Sequence, residues 1–404
     1  MRMNFVAPAG TPVESSDISY WLAHQTAPEQ ILDEFQTKLK QTFNLHHSFF
    51  ISTGRAAMTL AFQALRQMRN DPARNEIIVP AYTCYSVPAS AAKAGLKIRV
   101  CDINPETLSY KLDELRNMDF SHVLAITSAN LYGLPDELDK IQDIAQQNNV
   151  YLLDDAAQCM GGRSKAGYAG AVGTLGLYSL DKGKNITSIQ GGILVTNSDE
   201  LANILHKMTS RLPTCPSKSA FIDSLKLLAY AAILRPQLYW ITQYLPMLKL
   251  GQTIYTTEYP VQQYCSRMAP IAYSQFKRLE KLSLIRRKNA EMIKQGLSDL
   301  DGISFIQHSE DTIPVYPRLP VLISNPTSRT HITEQLVKHG IGATCSYPLA
   351  IVDIPELSAL IPETDLNAKG GRQVASQITT LPTHPYMNKN HISTIIKIFQ
   401  ETLK

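Results

Sequence analysis

The chain has 404 residues, of which 44% are apolar and 18% charged; that balance supplies a sizeable core and excludes disorder as the main state. Lys plus Arg number 39 against 35 Asp plus Glu, a net charge of +4. No long basic run, Cys/His zinc spacing or RNP-like string accompanies it, which argues against nucleic-acid and zinc-binding classes and leaves room for an anionic small substrate.

In chain order, FFIST (49–53) reads as a strand and a helical stretch follows over 55–69. EIIVPA (76–81) is a second strand, followed by a second helix candidate and then LKIRVCDI (96–103). HVLAITSAN (122–130) and VYLLDDA (150–156) flank the helical PDELDKIQDIAQQNN (135–149), and GLYSL (176–180) and GGILVTN (191–197) complete the set. Short apolar strands separated by helix-length segments predict an α/β fold with a mainly parallel sheet covered on both faces. Residues 211–251 break this pattern with FIDSLKLLAYAAILRPQLYWITQYLPMLKL, interrupted by Lys226 and Arg235 and kinked by Pro236 and Pro246. Its uncharged runs fall short of the ~18–20 residues that span a bilayer. A helical insertion packed on the body or at a subunit interface is expected, with a membrane-surface or partner contact through 221–250 as the alternative. SQFKRLEKLSLIRRKNAEMIKQGL (274–297) predicts one long helix with charge on one face. From residue 302 a smaller α/β unit follows: VYPRLPVLIS as strand, RTHITEQLVKHG as helix, then IGATCSYP and the last helix HISTIIKIFQETLK. The expected divisions are a large domain over 1–210, the insertion over 211–252, a helical connection over 253–300 and a small domain over 301–404.

The six cysteines, Cys84, Cys101, Cys159, Cys215, Cys265 and Cys345, are scattered without a CxxC. A reducing, cytoplasmic compartment suits them best. Residues 1–17 lack the apolar core of a signal peptide.

Three motifs carry chemistry. LLDDAAQC ends a strand in Asp154 and Asp155, and a carboxylate at the C-terminal end of a parallel strand faces the crevice where α/β proteins bind ligands. Solvated loop acids or a helix cap would look the same. GLYSLDKGKNITSIQGG brings Ser179 to a strand end, with Lys182 and Lys184 in the loop beyond it. A loop lysine that loses solvent becomes a neutral, nucleophilic amine, although two surface lysines are the commoner arrangement. STGRAAMTLAFQAL places Thr53, Gly54, Ala56 and Ala57 at a helix start, where free backbone N–H groups bind phosphate and Arg55 adds a cation; an ordinary helix entry reads alike. Together the three form an ordered set. A phosphate site, a strand-end Asp for a ring nitrogen and a Schiff-base Lys are what pyridoxal 5'-phosphate requires.

With STGRAAMTLA, EIIVPAYT, CDINPETLSY, LYGLPDELDKI, LLDDAAQCMGG, YSLDKGKN…GG, SRMAPIAYSQFKRLEKL, SYP and LPTHP in this order, the chain resembles the sugar-nucleotide aminotransferases of the DegT–StrS group. That resemblance implies a fold type I pyridoxal-phosphate transferase, with a mainly parallel seven-stranded sheet in the large domain and a smaller C-terminal α/β domain. It makes Lys184 the Schiff-base lysine, with Lys182 a bystander, and Asp155 rather than Asp154 the partner of the ring nitrogen. Gln158 is placed near the ring, Ser179, Gly54 and Arg55 near the phosphate, and Asn185 beside the lysine. It also implies a homodimer with shared sites, the region of Arg267 and Met268 arriving from the other subunit, and Arg267 and Tyr347 as substrate contacts.

The chain departs from the group's pattern in several places. Cys84 stands where an aromatic ring usually stacks on the cofactor, leaving Tyr85 or Tyr82 as substitutes. Cys265 replaces an Asn that commonly crosses the dimer, and Arg55 replaces a common Thr, with a charge that could compensate for that Asn. Asn130, Ser346 and Gln190 replace two frequent His residues and an acid near the substrate pocket. The implied reaction moves an amino group from an amino acid, with L-glutamate the expected donor, to a keto sugar on a nucleotide, for surface polysaccharides or secondary metabolites. The alternatives are a lipid-linked or non-nucleotide acceptor and a non-catalytic regulatory protein. Sugar dehydratases of the group carry His in place of the lysine, and Lys184 argues against that activity. A nicotinamide enzyme lacks its GxGxxG.

Overall fold

The computed structural model describes residues 4–244 and 254–403. Each of the seven expected large-domain strands is present: β1 (His47–Ile51), β2 (Glu76–Pro80), β3 (Lys97–Cys101), β4 (Val123–Ala129), β5 (Tyr151–Asp155), then a short hairpin of β6 (Arg163–Ser164) and β7 (Gly167–Tyr168), β8 (Leu175–Ser179) and β9 (Gly192–Thr196). The seven-stranded sheet runs β1-β9-β8-β5-β4-β2-β3. β9 alone runs opposite to the other six strands. The central strands are buried because helices cover both faces; every residue of β4 is buried.

The register sets Ala129 beside Asp155, and Asp155 beside Leu177. The ends of β4, β5 and β8 therefore share one rim, the place where open α/β sheets bind ligands. Helix Gly54–Arg69 begins at the same rim. The Thr53 side chain caps it by accepting from Ala56 N, and it ends at left-handed Asn70.

A three-stranded antiparallel sheet of β10 (Ile303–Phe305), β11 (Arg318–Ile323) and β12 (Ile378–Pro382) carries helices Pro326–Lys338, Lys369–Gln377 and Lys389–Leu403. The N-terminal segment runs along this unit, with Val6 N donating to Gly340 O at 2.8 Å. Two helices near the N-terminus, Ser15–Ala23 and Pro28–Phe43, lie in segments without a predicted element.

Two expectations change. The long helix predicted over 274–297 is two, Ala269–Phe276 and Leu279–Leu297. At the break Arg278 turns its guanidinium to Glu14 and buried Asp17. The apolar insertion forms helix Ser217–Ile233, and Pro236 starts a new short helix rather than kinking a continuous one. Pro246 and residues 245–253 of that segment lie outside the described residues. No helix among the described residues is long and apolar enough to cross a membrane.

Candidate active site

Neighbouring side chains on a strand point to opposite faces, and this separates the two aspartates at the end of β5. Asp154 faces inward and is fully buried. It accepts from Ser128 Oγ (3.2 Å), Asn130 Nδ2 (2.8 Å), Gly170 N (2.7 Å) and Val172 N (3.3 Å). Four donors make it a structural knot. Asp155 accepts Ala157 N at 2.9 Å on one oxygen, which leaves acceptor capacity for a ligand. Burial raises both carboxyls to about 6; for Asp155 the Ala157 N–H and the charge of Lys184 oppose the rise. Lys184 is thus within electrostatic reach of Asp155. Lys184 is half-buried, whereas Lys182 is exposed.

Gly54 opens its helix against Ser179, at the end of β8. A Cβ built on Gly54 would stand 3.1 Å from Ser179 Oγ, so the missing side chain is what leaves a cradle at the helix start. Both side-chain atoms of Asn185 are buried without a partner. The cradle, the strand-end carboxylate, the adjacent lysine and the unmatched amide together fit pyridoxal phosphate. The Arg55 guanidinium lies 5.5 Å from the centroid of the Tyr259 ring, which Lys93 shares at 4.8 Å.

Gln158 links two neighbours: its Oε1 accepts Tyr132 N (3.2 Å) and its Nε2 donates to Tyr347 OH (3.0 Å). Tyr347 is buried, with Tyr82 and Tyr85 rings each 5.7 Å away, and Cys84 adds to the burial that pushes its phenol pKa up. Tyr85 OH accepts Leu349 N at 2.8 Å and can donate to Leu349 O at 3.2 Å, so its hydroxyl ties the two domains. Arg267 is exposed, and its carbonyl accepts the Trp21 indole at 2.8 Å. Buried Cys265 precedes it by two residues.

Two of the departures turn out to be structural. Asn130 spends its amide on Asp154 and on Asp155 O (2.8 Å), while its Oδ1 accepts Asp136 N (2.9 Å); it clamps the ends of β4 and β5. Gln190 donates to Asp223 Oδ2 (2.5 Å) on the insertion helix. Ser346 has a left-handed φ of +50°.

The lysine loop is pinned from behind by residues that sequence reasoning missed. Thr11 Oγ1 lies 2.7 Å from Lys184 O and 3.0 Å from Asn185 O. Arg286, fully buried, donates to Asn185 O (3.1 Å) and Thr11 Oγ1 (2.7 Å), and Tyr230 OH donates to Lys182 O (2.9 Å). Burial alone pulls the Arg286 pKa down to about 10, so it stays charged at neutral pH. These contacts join positions 48 to 275 residues apart in sequence, and no local pattern encodes them.

The chain has recognisable relatives in sequence and in fold. The sequence model of the DegT/DnrJ/EryC1/StrS aminotransferase family matches residues 21–217 and 265–400. A GDP-4-keto-6-deoxy-D-mannose 3-dehydratase of Yersinia pseudotuberculosis is 25% identical over 76% of this chain and 75% of its own length. A GDP-perosamine synthase of Vibrio cholerae is 23% identical over 69% and 65%. Among solved structures, the Helicobacter pylori aminotransferase PseC, involved in the biosynthesis of pseudoaminic acid, superposes with a TM-score of 0.78 at 16% identity, over 99% of both chains. The Escherichia coli GDP-4-keto-6-deoxy-D-mannose-3-dehydratase with bound hydrated pyridoxal phosphate gives 0.77 at 19%, over 100% of both. The unmatched stretch between residues 217 and 265 contains the insertion, and the chain belongs to the DegT/DnrJ/EryC1/StrS aminotransferase family.

Proposed function

We propose that this protein is a pyridoxal-phosphate-dependent aminotransferase that moves an amino group from L-glutamate to a keto sugar carried on a nucleotide. The observation that carries the reading is the Lys184 amine set within electrostatic reach of the ligand-facing carboxylate of Asp155, on the rim where Gly54 and Ser179 leave a phosphate cradle. The relatives' names support the acceptor class: a GDP-perosamine synthase and the aminotransferase of pseudoaminic acid biosynthesis both belong to sugar metabolism.

When bound, the cofactor supplies an aldehyde that takes up the nitrogen and a ring that withdraws electrons from the reacting carbon. The rest falls to the chain. The backbone at Gly54 and Arg55 and the Ser179 hydroxyl would hold the phosphate, and Asn185 would supply a further amide. Asp155 would keep a proton on the ring nitrogen, and Gln158 and Tyr85 or Cys84 would contact the ring. Lys184 Nζ would carry the proton between the reacting carbons. In the family pattern His at this position marks a sugar dehydratase, so Lys184 favours amine transfer over that activity.

A homodimer fits the reading. Arg267 is exposed and would enter the neighbouring subunit's site, while Tyr347 would be the substrate contact supplied from within the chain. Phe221, Leu225 and Leu228 leave an apolar face on the insertion helix, suited to a second subunit, to another partner or to a membrane surface. Six free cysteines suit a reducing, cytoplasmic compartment.

Purified holoenzyme mixed with L-glutamate alone should lose its aldehyde absorbance and release one equivalent of 2-oxoglutarate. Adding a keto sugar nucleotide should then restore the absorbance. Borohydride should fix the cofactor to Lys184, and Lys184→Ala should abolish both. A protein that binds the cofactor but converts no amino donor would be a sensor and would overturn the proposal. Turnover confined to non-nucleotide keto acceptors would move the acceptor to the lipid-linked or free-sugar class.

A further inference from the structure

The insertion helix Ser217–Ile233 turns the wrong face to water. Ala220, Asp223 and Leu227 face the body and are buried. The outward stripe is Phe221, Leu225, Leu228 and Ala232, with Ile222 and Ala229 beside it, all exposed. Their spacing of three and four residues sets them on one side of the helix. Phe221 is 64% exposed and Leu225 52%, where a surface helix normally presents charge. Leu238 and Ile241, shortly after the helix, are exposed as well. Six of the fourteen large apolar side chains exposed among the described residues thus fall in this one segment. Exposure concentrated in this way marks an interaction surface, whereas scattered single residues do not.

The charge around the stripe has one sign. From Ser217 to Arg235 the sequence holds Lys218, Lys226 and Arg235 against a single acid, Asp223. Asp223 is buried, where it accepts Gln190 Nε2 (2.5 Å) and Lys226 Nζ (3.1 Å). Lys218 stands on the stripe itself, one turn before Phe221, and Arg235 follows the end of the helix; both are exposed. The outward side is therefore apolar along its length and cationic at both ends.

Two occupants compete for such a face. A second copy would set these cations against their own kind, with the segment's one acid already bonded. Six side chains also fall well short of the roughly 20–30 residues a side that a stable interface uses. An anionic bilayer matches both properties. Apolar side chains enter the boundary between headgroups and acyl chains, while Lys and Arg meet the lipid phosphates. The helix has 17 residues, and lying in the surface asks nothing of the length that spanning would need.

We propose that the outward face of helix Ser217–Ile233 docks on an anionic lipid bilayer, lying flat in its headgroup layer. The inward face of the same helix is tied to the candidate active site. Tyr230 OH donates to Lys182 O (2.9 Å), in the loop that carries Lys184. Docking therefore holds the active-site rim at a membrane surface. The assignment stands apart from the aminotransferase reading, because lipid binding is measured without turnover.

The test sediments the full-length holoenzyme with phosphatidylcholine vesicles, made with and without phosphatidylglycerol. Wild type binds the phosphatidylglycerol vesicles, and binds pure phosphatidylcholine at least about tenfold more weakly, the difference expected for two or three interfacial cations. Added salt weakens the binding. Phe221→Ser combined with Leu225→Ser lowers partitioning to the anionic vesicles at least about tenfold. Lys218→Glu lowers it several-fold. The melting temperature stays at the wild-type value in both variants, because neither change reaches the body of the protein.

Wild-type protein that stays in the supernatant with both vesicle types overturns the assignment. So does equal binding to both, and so does binding undiminished by the two serines. Light scattering identifies the rival: a dimer lost in the serine variant, with no vesicle binding by wild type, gives the face to a second copy. A dimer that persists in the serine variant while vesicle binding is lost supports the bilayer.

Discussion

Asp155 is buried with one hydrogen bond to its carboxylate, and burial lifts its pKa to about 6. With the native pKa above the unfolded value of about 4, the native state binds more protons between those values, so stability falls as pH rises through that window. In cofactor-free protein at pH 7.5, Asp155→Asn should therefore stabilise by about 2 kcal/mol, an advantage absent at pH 4 and read from the melting temperature. The holoenzyme should behave oppositely. There the ionised carboxylate faces a protonated ring nitrogen, so wild-type cofactor retention should weaken as pH drops below about 6, the value to which burial raises the carboxyl. Asp155→Asn should retain the cofactor poorly and with a flatter pH profile. Asp136 and Asp154 also have pKa values near 6, and the paired comparison cancels their titration. At the phosphate end, Gly54→Ala would push a methyl to 3.1 Å from Ser179 Oγ. Cofactor affinity should drop at least about tenfold while the cofactor-free melting temperature barely moves, because alanine suits a helix better than glycine. The two aspartates were legible in sequence as a strand end, and the choice between them came from the family resemblance. The division of labour between them depends on Asn130, Gly170 and Val172, which only the folded chain gathers.

The seven strands of the large sheet were readable because each is a short apolar run bounded by polar segments, and helix Gly54–Arg69 because its cap and small residues announce it. The break at Lys277–Arg278 was not readable. Helical periodicity continues through it, and what ends the first helix is a side chain drawn to Glu14 and Asp17 from more than 250 positions away. The lysine loop is similar. Its sequence shows where the amine lies but not what holds the backbone. Thr11 gives one hydroxyl to two loop carbonyls and receives Arg286. Thr11→Val should leave Arg286 short of an acceptor in a fully buried place and destabilise by about 1–3 kcal/mol. Because the loop rather than the substrate pocket is loosened, kcat should fall more than the donor KM rises, as steady-state kinetics beside thermal melting would show.

At the scale of the whole molecule, contacts between the large and small domains border the site, among them Gln158 with Tyr347, Tyr85 with Leu349, and Gly133 against the turn before Arg318. The small-domain strand and helices could be read from apolar patterning, but this junction could not, because it depends on how closely two backbones approach. Gly133 has a φ of +80°, and a Cβ there would lie 2.5 Å from Pro317 Cδ and 2.6 Å from Tyr316 N. Neither neighbour is the far end of a flexible side chain, so the junction must open rather than absorb a methyl. Gly133→Ala should destabilise by about 3 kcal/mol, adding backbone strain to overpacking. The same opening would strain the Gln158–Tyr347 hydrogen bond at the border of the site. The variant should then need more L-glutamate for half-maximal conversion while Lys184 remains trappable by borohydride. A melting curve gives the first effect, and spectral titration with mass analysis of the trapped peptide gives the second. A melting temperature unchanged from wild type would show that the two domains are not locked together at this turn.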